Sequence, residues 1–137
     1  MKKTITPGKE LEKLVAIMKK LRGPQGCPWD KRQSHQSLLP YLFSEAHEVK
    51  AAVRKKDWPN LEEELGDVLL QVIFHSQLAD EKNMFTITGV IRGISEKLVR
   101  RHPHVFGGKK LKTSGEVVKQ WAEIKKTEKA QKALHSK

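Results

Sequence analysis

Apolar residues recur every three to four positions through most of this chain, the spacing that gives an α-helix one apolar face. This pattern predicts a first helix near Leu11–Leu21, a second near Ser37–Arg54 and a third near Leu61–Asp80. It predicts a fourth helix near Val90–Val99 and a last one that begins at the capping-box sequence Thr113–Glu116. Because no segment alternates convincingly between apolar and polar residues, the expected fold is all-α, a bundle of about four to five helices.

Proline and glycine residues set the expected ends of these helices. The Gly-Pro-Gln-Gly sequence at 23–26 ends the first helix, and the stretch 27–36 is expected to form an ordered loop. Pro40 is expected near the first turn of the second helix, where a missing backbone N–H costs no hydrogen bond. His102 and Pro103 end the fourth helix, because a residue that precedes proline disfavours the helical conformation.

The length of 137 residues fits a single domain over 1–137, with a core over about 10–108 and a basic helix or tail over 109–137. The chain has 27 Lys and Arg against 16 Asp and Glu, a formal net charge of +11 that predicts an anionic partner. Phosphates, nucleic acids and anionic membranes all fit that description. Because the sequence carries no zinc finger, recognition helix or aromatic RNA-binding motif, nucleic acid is not the favoured partner.

Cysteine content and apolar runs indicate the cellular compartment. Cys27 is the only cysteine, which excludes an internal disulfide and suits a reducing environment. The longest apolar run near the N-terminus, Leu14–Met18, is too short for a signal peptide or a membrane span. We therefore expect a cytoplasmic protein that has no membrane partner.

Two pairs of carboxylates lie on the second and third predicted helices. Glu45 and Glu48 are three positions apart, and so are Glu64 and Asp67, so each pair shares a helix face. Carboxylates brought together from two helices would repel one another, and a divalent cation would relieve that repulsion. Mg²⁺ or Mn²⁺ fits such oxygen ligands and usually completes its shell with waters and substrate phosphates.

A competing interpretation treats these acids as ordinary solvated charges, since acidic pairs of this spacing occur often by chance. We expect that role for Glu62 and Glu63, which point roughly 160° and 100° away from Glu64. Spacing alone leaves both interpretations of the two pairs open.

Four ordered motifs extend over nearly the whole chain. The first consists of Gly26-Cys27-Pro28-Trp29-Asp30, Gln33, His35 and Ser37-Leu38. The second consists of Tyr41-Leu42, Glu45, Glu48-Val49, Glu64-Leu65-Gly66-Asp67 and Leu69-Leu70-Gln71-Val72. The third consists of Lys97 and the run from Arg100 to Phe106, and the fourth runs from Trp121 to Lys125. Together these motifs, over about residues 10–135, resemble those of the MazG nucleoside triphosphate pyrophosphohydrolases.

This resemblance implies hydrolysis of a nucleoside triphosphate between its α and β phosphates, which gives the monophosphate and pyrophosphate. It implies Mg²⁺ as the cofactor, with Mn²⁺ as a substitute, and a homodimer that clears unwanted nucleotides. The implied metal ligands and catalytic residues are Glu45, Glu48, Glu64 and Asp67. The residues implied to contact the nucleotide are Tyr41, Leu42, Phe43, Ser44, Glu45, Lys97, Leu98, Val99, Arg100, Arg101 and Trp121.

Ser44 departs from the family pattern, which has a glutamate at this position. The departure affects the expected number of metal ions or the orientation of the attacking water, and we expect changed rate or specificity rather than lost activity. It also gives some support to an alternative function, a regulatory module that binds nucleotides or nucleic acid through its basic surface without turnover.

Several residues of the four motifs have an equally simple structural explanation. Arg100 and Arg101 would complement the dipole at the end of the fourth helix. Trp121 fits core packing as well as stacking on a nucleotide. Trp29 and Asp30 fit a structural role such as capping the second helix.

His102 and His104 lie on either side of Pro103 after the fourth predicted helix. With no cysteine or third histidine nearby in the sequence, a transition-metal site is not favoured. We expect both side chains to fix the turn that follows this helix.

Overall fold

The computed structural model describes residues 4–108 and 110–135, and over those residues it contains helices and no strand. The helices are α1 (Pro7–Leu21), α2 (Pro28–Arg32), α3 (His35–Lys55), α4 (Trp58–Glu81), α5 (Ile87–Arg101), α6 (Pro103–Phe106) and α7 (Ser114–His135). The predicted all-α fold is confirmed, and the five long helices correspond to the five predicted ones. The predicted basic segment 109–137 includes Lys109, Ser136 and Lys137, which lie outside the described residues.

The chain divides into two compact units, Met1–Ile87 and Thr88–Lys137. The first unit contains α1 to α4, and the second contains most of α5 together with α6 and α7. The single domain expected over 1–137 stays a prediction.

The turn after α1 ends this helix where the sequence predicted, and it requires a glycine. Cys27 N–H donates to the carbonyl oxygen of Leu21 at 2.8 Å, which folds the chain back across the helix end. A Cβ atom on Gly26 would lie 2.0 Å from that same carbonyl oxygen, so no other residue fits without moving the backbone. This tight turn fixes where the chain enters α2.

The stretch 27–36 was predicted as a loop, and that prediction was wrong in two places. Pro28–Arg32 forms α2, whose proline lies at the helix start, where its fixed φ favours helical geometry. The second predicted helix also begins earlier, because Ser34 and Ser37 form a capping box. Ser34 Oγ accepts from Ser37 N–H at 3.1 Å, and Ser37 Oγ accepts from Ser34 N–H at 2.8 Å.

The early start of α3 places Pro40 inside the helix rather than in its first turn as predicted. Pro40 has no N–H to donate to the carbonyl oxygen of Gln36, one turn earlier. Gln36 is exposed, so water can satisfy this oxygen. Ser34, rather than Asp30, caps this helix.

The apolar core of the first unit lies where α4 packs against α3 and α1. Its buried members are Met18, Leu38, Ile73, Phe74 and Leu78. Partly buried side chains packed around them are Leu11, Leu14, Val15, Leu70 and Ile87. Because only residues 56–57 separate α3 from α4, the two helices run antiparallel and bring the middle of α3 against the first half of α4.

Helix α4 has a second apolar stripe, which faces outward. Leu65, Leu69 and Val72 belong to the apolar periodicity that predicts this helix, yet their side chains are exposed. The sequence pattern spans more than one face of α4, and α1 and α3 cover only one of them. This stripe is therefore available for contact with another surface.

In the second unit, one carboxylate ties α7 to the end of α5. Glu128 accepts hydrogen bonds from Arg100 Nε at 2.8 Å and from Arg101 Nη2 at 3.1 Å. Helix α7 begins at its predicted cap, where Thr113 Oγ1 accepts from Glu116 N–H at 3.2 Å. Both arginines lie in the last turn of α5, the position in which they were predicted to complement the helix dipole.

We predict that this ion pair makes the stability of the second unit depend on pH. The two arginine hydrogen bonds lower the pKa of Glu128 from 4.5 to about 2, so the folded state favours the ionised carboxylate. The stabilisation is complete above about pH 4.5 and is lost as the pH falls toward about 2. Urea unfolding at several pH values across this range measures the free energy of unfolding. On acidification this free energy should fall less for Glu128→Gln than for the wild type.

The matched control for this prediction is Glu123→Gln, an exposed glutamate on the same helix. It should keep the wild-type dependence on pH. The prediction would be contradicted if the free energy of unfolding fell equally for Glu128→Gln and the wild type between pH 5 and pH 2.5.

The turn around α6 is fixed by the two histidines, as expected. His102 Nδ1–H donates to the carbonyl oxygen of Leu98, which extends the end of α5. Gln120 Nε2 donates to His104 Nδ1 at 3.2 Å, which connects α6 to α7. Neither histidine belongs to a group of potential metal ligands among the residues that the structure describes.

Candidate functional site

Three carboxylates converge at the seam between α3 and α4. Glu45 comes from α3, and Glu64 and Asp67 come from successive turns of α4. Each offers one carboxylate oxygen, and these oxygens all lie within 4.8 Å of one another. The i, i+3 spacing puts Glu64 and Asp67 on one face of α4, and the antiparallel packing of α3 brings Glu45 to that face.

The surroundings of Glu64 in this cluster disfavour its ionised form. The pKa of Glu64 is raised first by desolvation of its carboxyl group, then by the negative charges of Asp67, Glu45 and Glu48, and finally by a hydrogen bond with Glu45. These causes all disfavour negative charge on Glu64. A bound cation would compensate the same charge without protonating a carboxyl group.

The donor set of this cluster fits a hard divalent cation. Carboxylate oxygens are the ligands that Mg²⁺ and Mn²⁺ take in proteins, whereas zinc sites usually include histidine or cysteine. Over the residues 4–108 and 110–135, these three acids are the only group of three or more that could hold a metal ion. Glu48 lies outside the group, although its charge acts on Glu64, and its assignment as a ligand stays a prediction.

Glu62 and Glu63 serve as an internal comparison. Both are exposed on α4, as the sequence predicted, and neither belongs to the metal-binding group. The cluster is therefore specific to the face of α4 that meets α3.

The segment Tyr41–Glu45, expected to contact the nucleotide, forms about one turn of α3 and ends at Glu45 of the carboxylate cluster. Tyr41, Phe43 and Ser44 are exposed and Leu42 is half-buried. Tyr41 lies four residues before Glu45, so the two side chains lie about 40° apart around the helix axis. Tyr41 and Glu45 therefore share a face, while Ser44 lies on a neighbouring one.

The other residues expected to contact the nucleotide lie in the second unit, on α5 and α7. They are Lys97, Leu98, Val99, Arg100, Arg101 and Trp121. The structure brings Arg101 and Trp121 together, with the guanidinium carbon 5.6 Å from the centre of the indole ring. Trp121 is half-buried, and within the described ranges its Nε1 is buried without a hydrogen-bond partner. The structure thus supports a packing role for Trp121 and leaves its stacking role a prediction.

Gln71 belongs to the second motif, but the sequence predicted no role for it at the site. It is 6% exposed, and its Oε1 is buried without a hydrogen-bond partner among the described residues. Its spacing from Glu64 and Asp67 is i+7 and i+4, which places it on their face of α4. This spacing could have indicated that Gln71 shares the face of the two acids. The sequence could not show that a glutamine at this position would be buried.

His35 and His75 form a second polar contact across the α3–α4 seam that the sequence did not predict. Their Nδ1 atoms lie 2.8 Å apart and their rings stack with centroids 5.0 Å apart. Burial of His75 and the nearby His35 lower the pKa of His75, so the pair favours a neutral imidazole there. This contact holds the start of α3 against the second half of α4.

None of the helices within the described residues is long and apolar enough to cross a membrane.

Comparison with known proteins shows what this chain is similar to. Residues 33–106 match the MazG nucleotide pyrophosphohydrolase domain, which covers both helices of the carboxylate cluster. The crystal structure of a MazG-related protein from Thermotoga maritima aligns with a TM-score of 0.69 at 35% identity, over 84% of this chain and 98% of that one.

Two curated relatives are longer than this chain. The Thermotoga maritima nucleoside triphosphate pyrophosphohydrolase/pyrophosphatase MazG is 54% identical over 121 residues, which are 88% of this chain and 46% of that protein. A nucleoside triphosphate pyrophosphohydrolase of Escherichia coli is 44% identical over 128 residues, 93% of this chain and 49% of that protein. The chain thus spans about half the length of these two relatives. Its profile match and its likeness to the solved structure show that it belongs to the MazG nucleotide pyrophosphohydrolase family.

Proposed function

We propose that this chain hydrolyses nucleoside triphosphates between the α and β phosphates, with Mg²⁺ as cofactor, and releases pyrophosphate. The observation that carries the proposal is the convergence of Glu45, Glu64 and Asp67 in a member of this family. The names of the Thermotoga and Escherichia coli relatives support the substrate class. The proposed role is removal of unwanted nucleotides, and the proposed location is the cytoplasm.

The carboxylates supply the negative charge that a metal-dependent phosphoryl reaction requires. When bound there, Mg²⁺ supplies a Lewis acid that polarises the reacting phosphoryl group and acidifies water, and Mn²⁺ can replace it. Glu45, Glu64 and Asp67 hold the ion, and Glu48 is proposed as a fourth ligand. A carboxylate oxygen that is not bound to metal accepts the proton of the attacking water.

Cationic side chains of α5 are proposed to bind the triphosphate. Lys97, Arg100 and Arg101 are cations on α5, and the formal net charge of +11 favours approach of an anionic substrate. Charge-assisted hydrogen bonds from such groups stabilise negative charge on the phosphoryl oxygens and the leaving pyrophosphate. Glu128 currently accepts hydrogen bonds from both arginines, so a triphosphate would compete with it for these donors.

A product assay tests the proposed bond directly. Purified protein with Mg²⁺ and a mixture of common and damaged nucleoside triphosphates should release nucleoside monophosphate and pyrophosphate in equal amounts. Hydrolysis in ¹⁸O-labelled water then shows which phosphorus atom is attacked. Release of single phosphate with nucleoside diphosphate would reject the assignment of the cleaved bond. Absence of any product would reject the proposed enzymatic activity.

We also propose that the chain forms a homodimer through the outward stripe of α4. Leu65, Leu69 and Val72 form an exposed apolar row beside the carboxylate cluster, and such rows commonly mark protein interfaces. We predict that light scattering at micromolar concentration gives twice the mass of one chain. The double change Leu65→Lys and Leu69→Lys should give monomers that remain helical.

A matched control for the dimer is Glu62→Gln together with Glu63→Gln, which raises the net charge by the same two units at exposed polar positions of α4. That variant should keep the wild-type mass. A wild-type monomer with full activity would contradict the dimer without affecting the proposed reaction.

One observation favours a second candidate function, a module that binds nucleotides or nucleic acid without turnover. Ser44 is exposed beside the cluster at the position where the family has a glutamate, and α7 carries exposed lysines. Binding of this kind would weaken steeply with salt and with truncation of the chain after residue 109. Turnover that releases pyrophosphate would decide against it.

A further inference from the structure

Two half-exposed aromatic rings form a corner on the surface of the first unit. Trp29 of α2 and Tyr41 of α3 are 48% and 43% exposed. Their ring centroids lie 5.7 Å apart, and the ring planes meet at 84°. We call this pair the aromatic corner.

The corner is fixed from beneath by the core. Trp29 also contacts the buried ring of Phe74, at a centroid distance of 6.4 Å and an interplanar angle of 78°. The Trp29 carbonyl oxygen accepts from Gln33 Nε2 at 2.9 Å, which steadies the short helix α2. A ring that is held in place loses little conformational entropy when a ligand stacks on it.

The corner lies beside the carboxylate cluster along both helices of the seam. On α3, Tyr41 precedes Glu45 by about one turn on the same face. On α4, Phe74 follows Asp67 by seven residues, so it lies on the same face about two turns away. The Trp29 ring, which contacts both Tyr41 and Phe74, therefore lies within a few turns of the three carboxylates.

We propose that Trp29, together with Tyr41, is the surface on which the base of the substrate nucleotide stacks. A nucleoside triphosphate joins an aromatic base to a chain of anionic phosphates, and this part of the first unit presents aromatic rings beside the carboxylates that are proposed to hold Mg²⁺. Stacking reads the face of a base rather than its hydrogen-bonding edge, so this subsite accepts purines and pyrimidines alike. The proposal rests on the proposed function for its substrate and adds Trp29 as a residue that determines affinity for the base.

Binding measured without turnover tests this subsite. The probes are the α,β-methylene analogues of ATP and CTP, in which the scissile bridge cannot be hydrolysed, and inorganic tripolyphosphate, which has no base. Calorimetry with Mg²⁺ should show that Trp29→Leu weakens both nucleotide analogues by about 10-fold, within the range expected for one stacked base. Tripolyphosphate should bind the wild type and this variant equally.

Two further variants separate stacking from a structural effect. Trp29→Tyr keeps an aromatic ring and should restore most of the affinity for the nucleotide analogues. Trp58→Leu removes another exposed tryptophan of the same unit, at the opposite end of α4 from Phe74, and should leave nucleotide affinity unchanged. Fluorine NMR of protein labelled with 5-fluorotryptophan should show the Trp29 resonance shifting with the analogues and not with tripolyphosphate.

The outcomes distinguish this proposal from the proposed reaction. An active wild type whose nucleotide affinity survives Trp29→Leu, with no shift of the Trp29 resonance, would overturn the base subsite alone. Equal weakening of tripolyphosphate would also overturn it, because the tryptophan would then act on the phosphates or on folding. Altered mass of Trp29→Leu in light scattering with unchanged nucleotide affinity would assign the corner to a chain–chain contact instead.

Discussion

Asp67→Asn should reduce pyrophosphate release from a nucleoside triphosphate by at least about 100-fold, because changing even an outer partner of a metal site typically costs about 10- to 100-fold. The substitution keeps the size of the side chain and removes one of the three converging negative charges. The loss should persist at saturating Mg²⁺ if Asp67 also aligns the substrate, and should be partly restored by Mg²⁺ if it only binds the ion.

Stability measurements give a second readout of the same change. In the wild type, Mg²⁺ should raise the midpoint of thermal unfolding, since the ion binds the folded cluster and not the unfolded chain. Asp67→Asn should show a much smaller increase. Without metal, the variant should be at least as stable as the wild type, because the charge of Asp67 is one of the causes that raise the pKa of Glu64.

Glu63→Gln is the matched control for Asp67→Asn. It removes one negative charge from an exposed position of the same helix, outside the metal-binding group. Its activity and its response to Mg²⁺ should equal those of the wild type. An Asp67→Asn protein that keeps more than about a tenth of wild-type turnover would remove this residue from the proposed metal site.

Leu38→Ala should lower the free energy of unfolding by about 3 kcal/mol, within the range measured for buried leucines truncated to alanine. Leu38 is 0% exposed and belongs to the core between α1, α3 and α4. The substitution removes buried apolar surface and leaves a cavity that the surrounding helices cannot close completely. Urea unfolding followed by circular dichroism measures the change.

Leu39→Ala is the control for this prediction, because the two leucines are adjacent in sequence and differ in burial. Leu39 is 42% exposed, so its truncation should cost less than about 1 kcal/mol. Equal costs at the two positions would mean that the core lies elsewhere, for example at a chain–chain interface that buries Leu39.

Helical periodicity predicted the five long helices because one buried face is enough to impose it. The same periodicity misjudged α4, where Leu65 and Leu69 belong to an apolar stripe that faces outward. A one-dimensional pattern gives the number of apolar residues per turn, but it does not show how many neighbouring helices are present to cover them. Local capping explains the misplaced start of α3, because Ser34 and Ser37 satisfy each other through paired hydrogen bonds that composition does not reveal.

The sequence was enough to predict the five long helices, the pairing of acids on shared helix faces and the family, because these depend on residues close together in the chain or on ordered motifs. The packing of the helices, which spacing did not reveal, brings Glu45 to Glu64 and Asp67 and leaves Glu48 outside their group. Only the structure, likewise, brought Trp29 against Tyr41 and Phe74. Distances between helices depend on how the α3–α4 seam and the turn at Gly26 pack, and packing is set by many side chains together rather than by spacing along one helix.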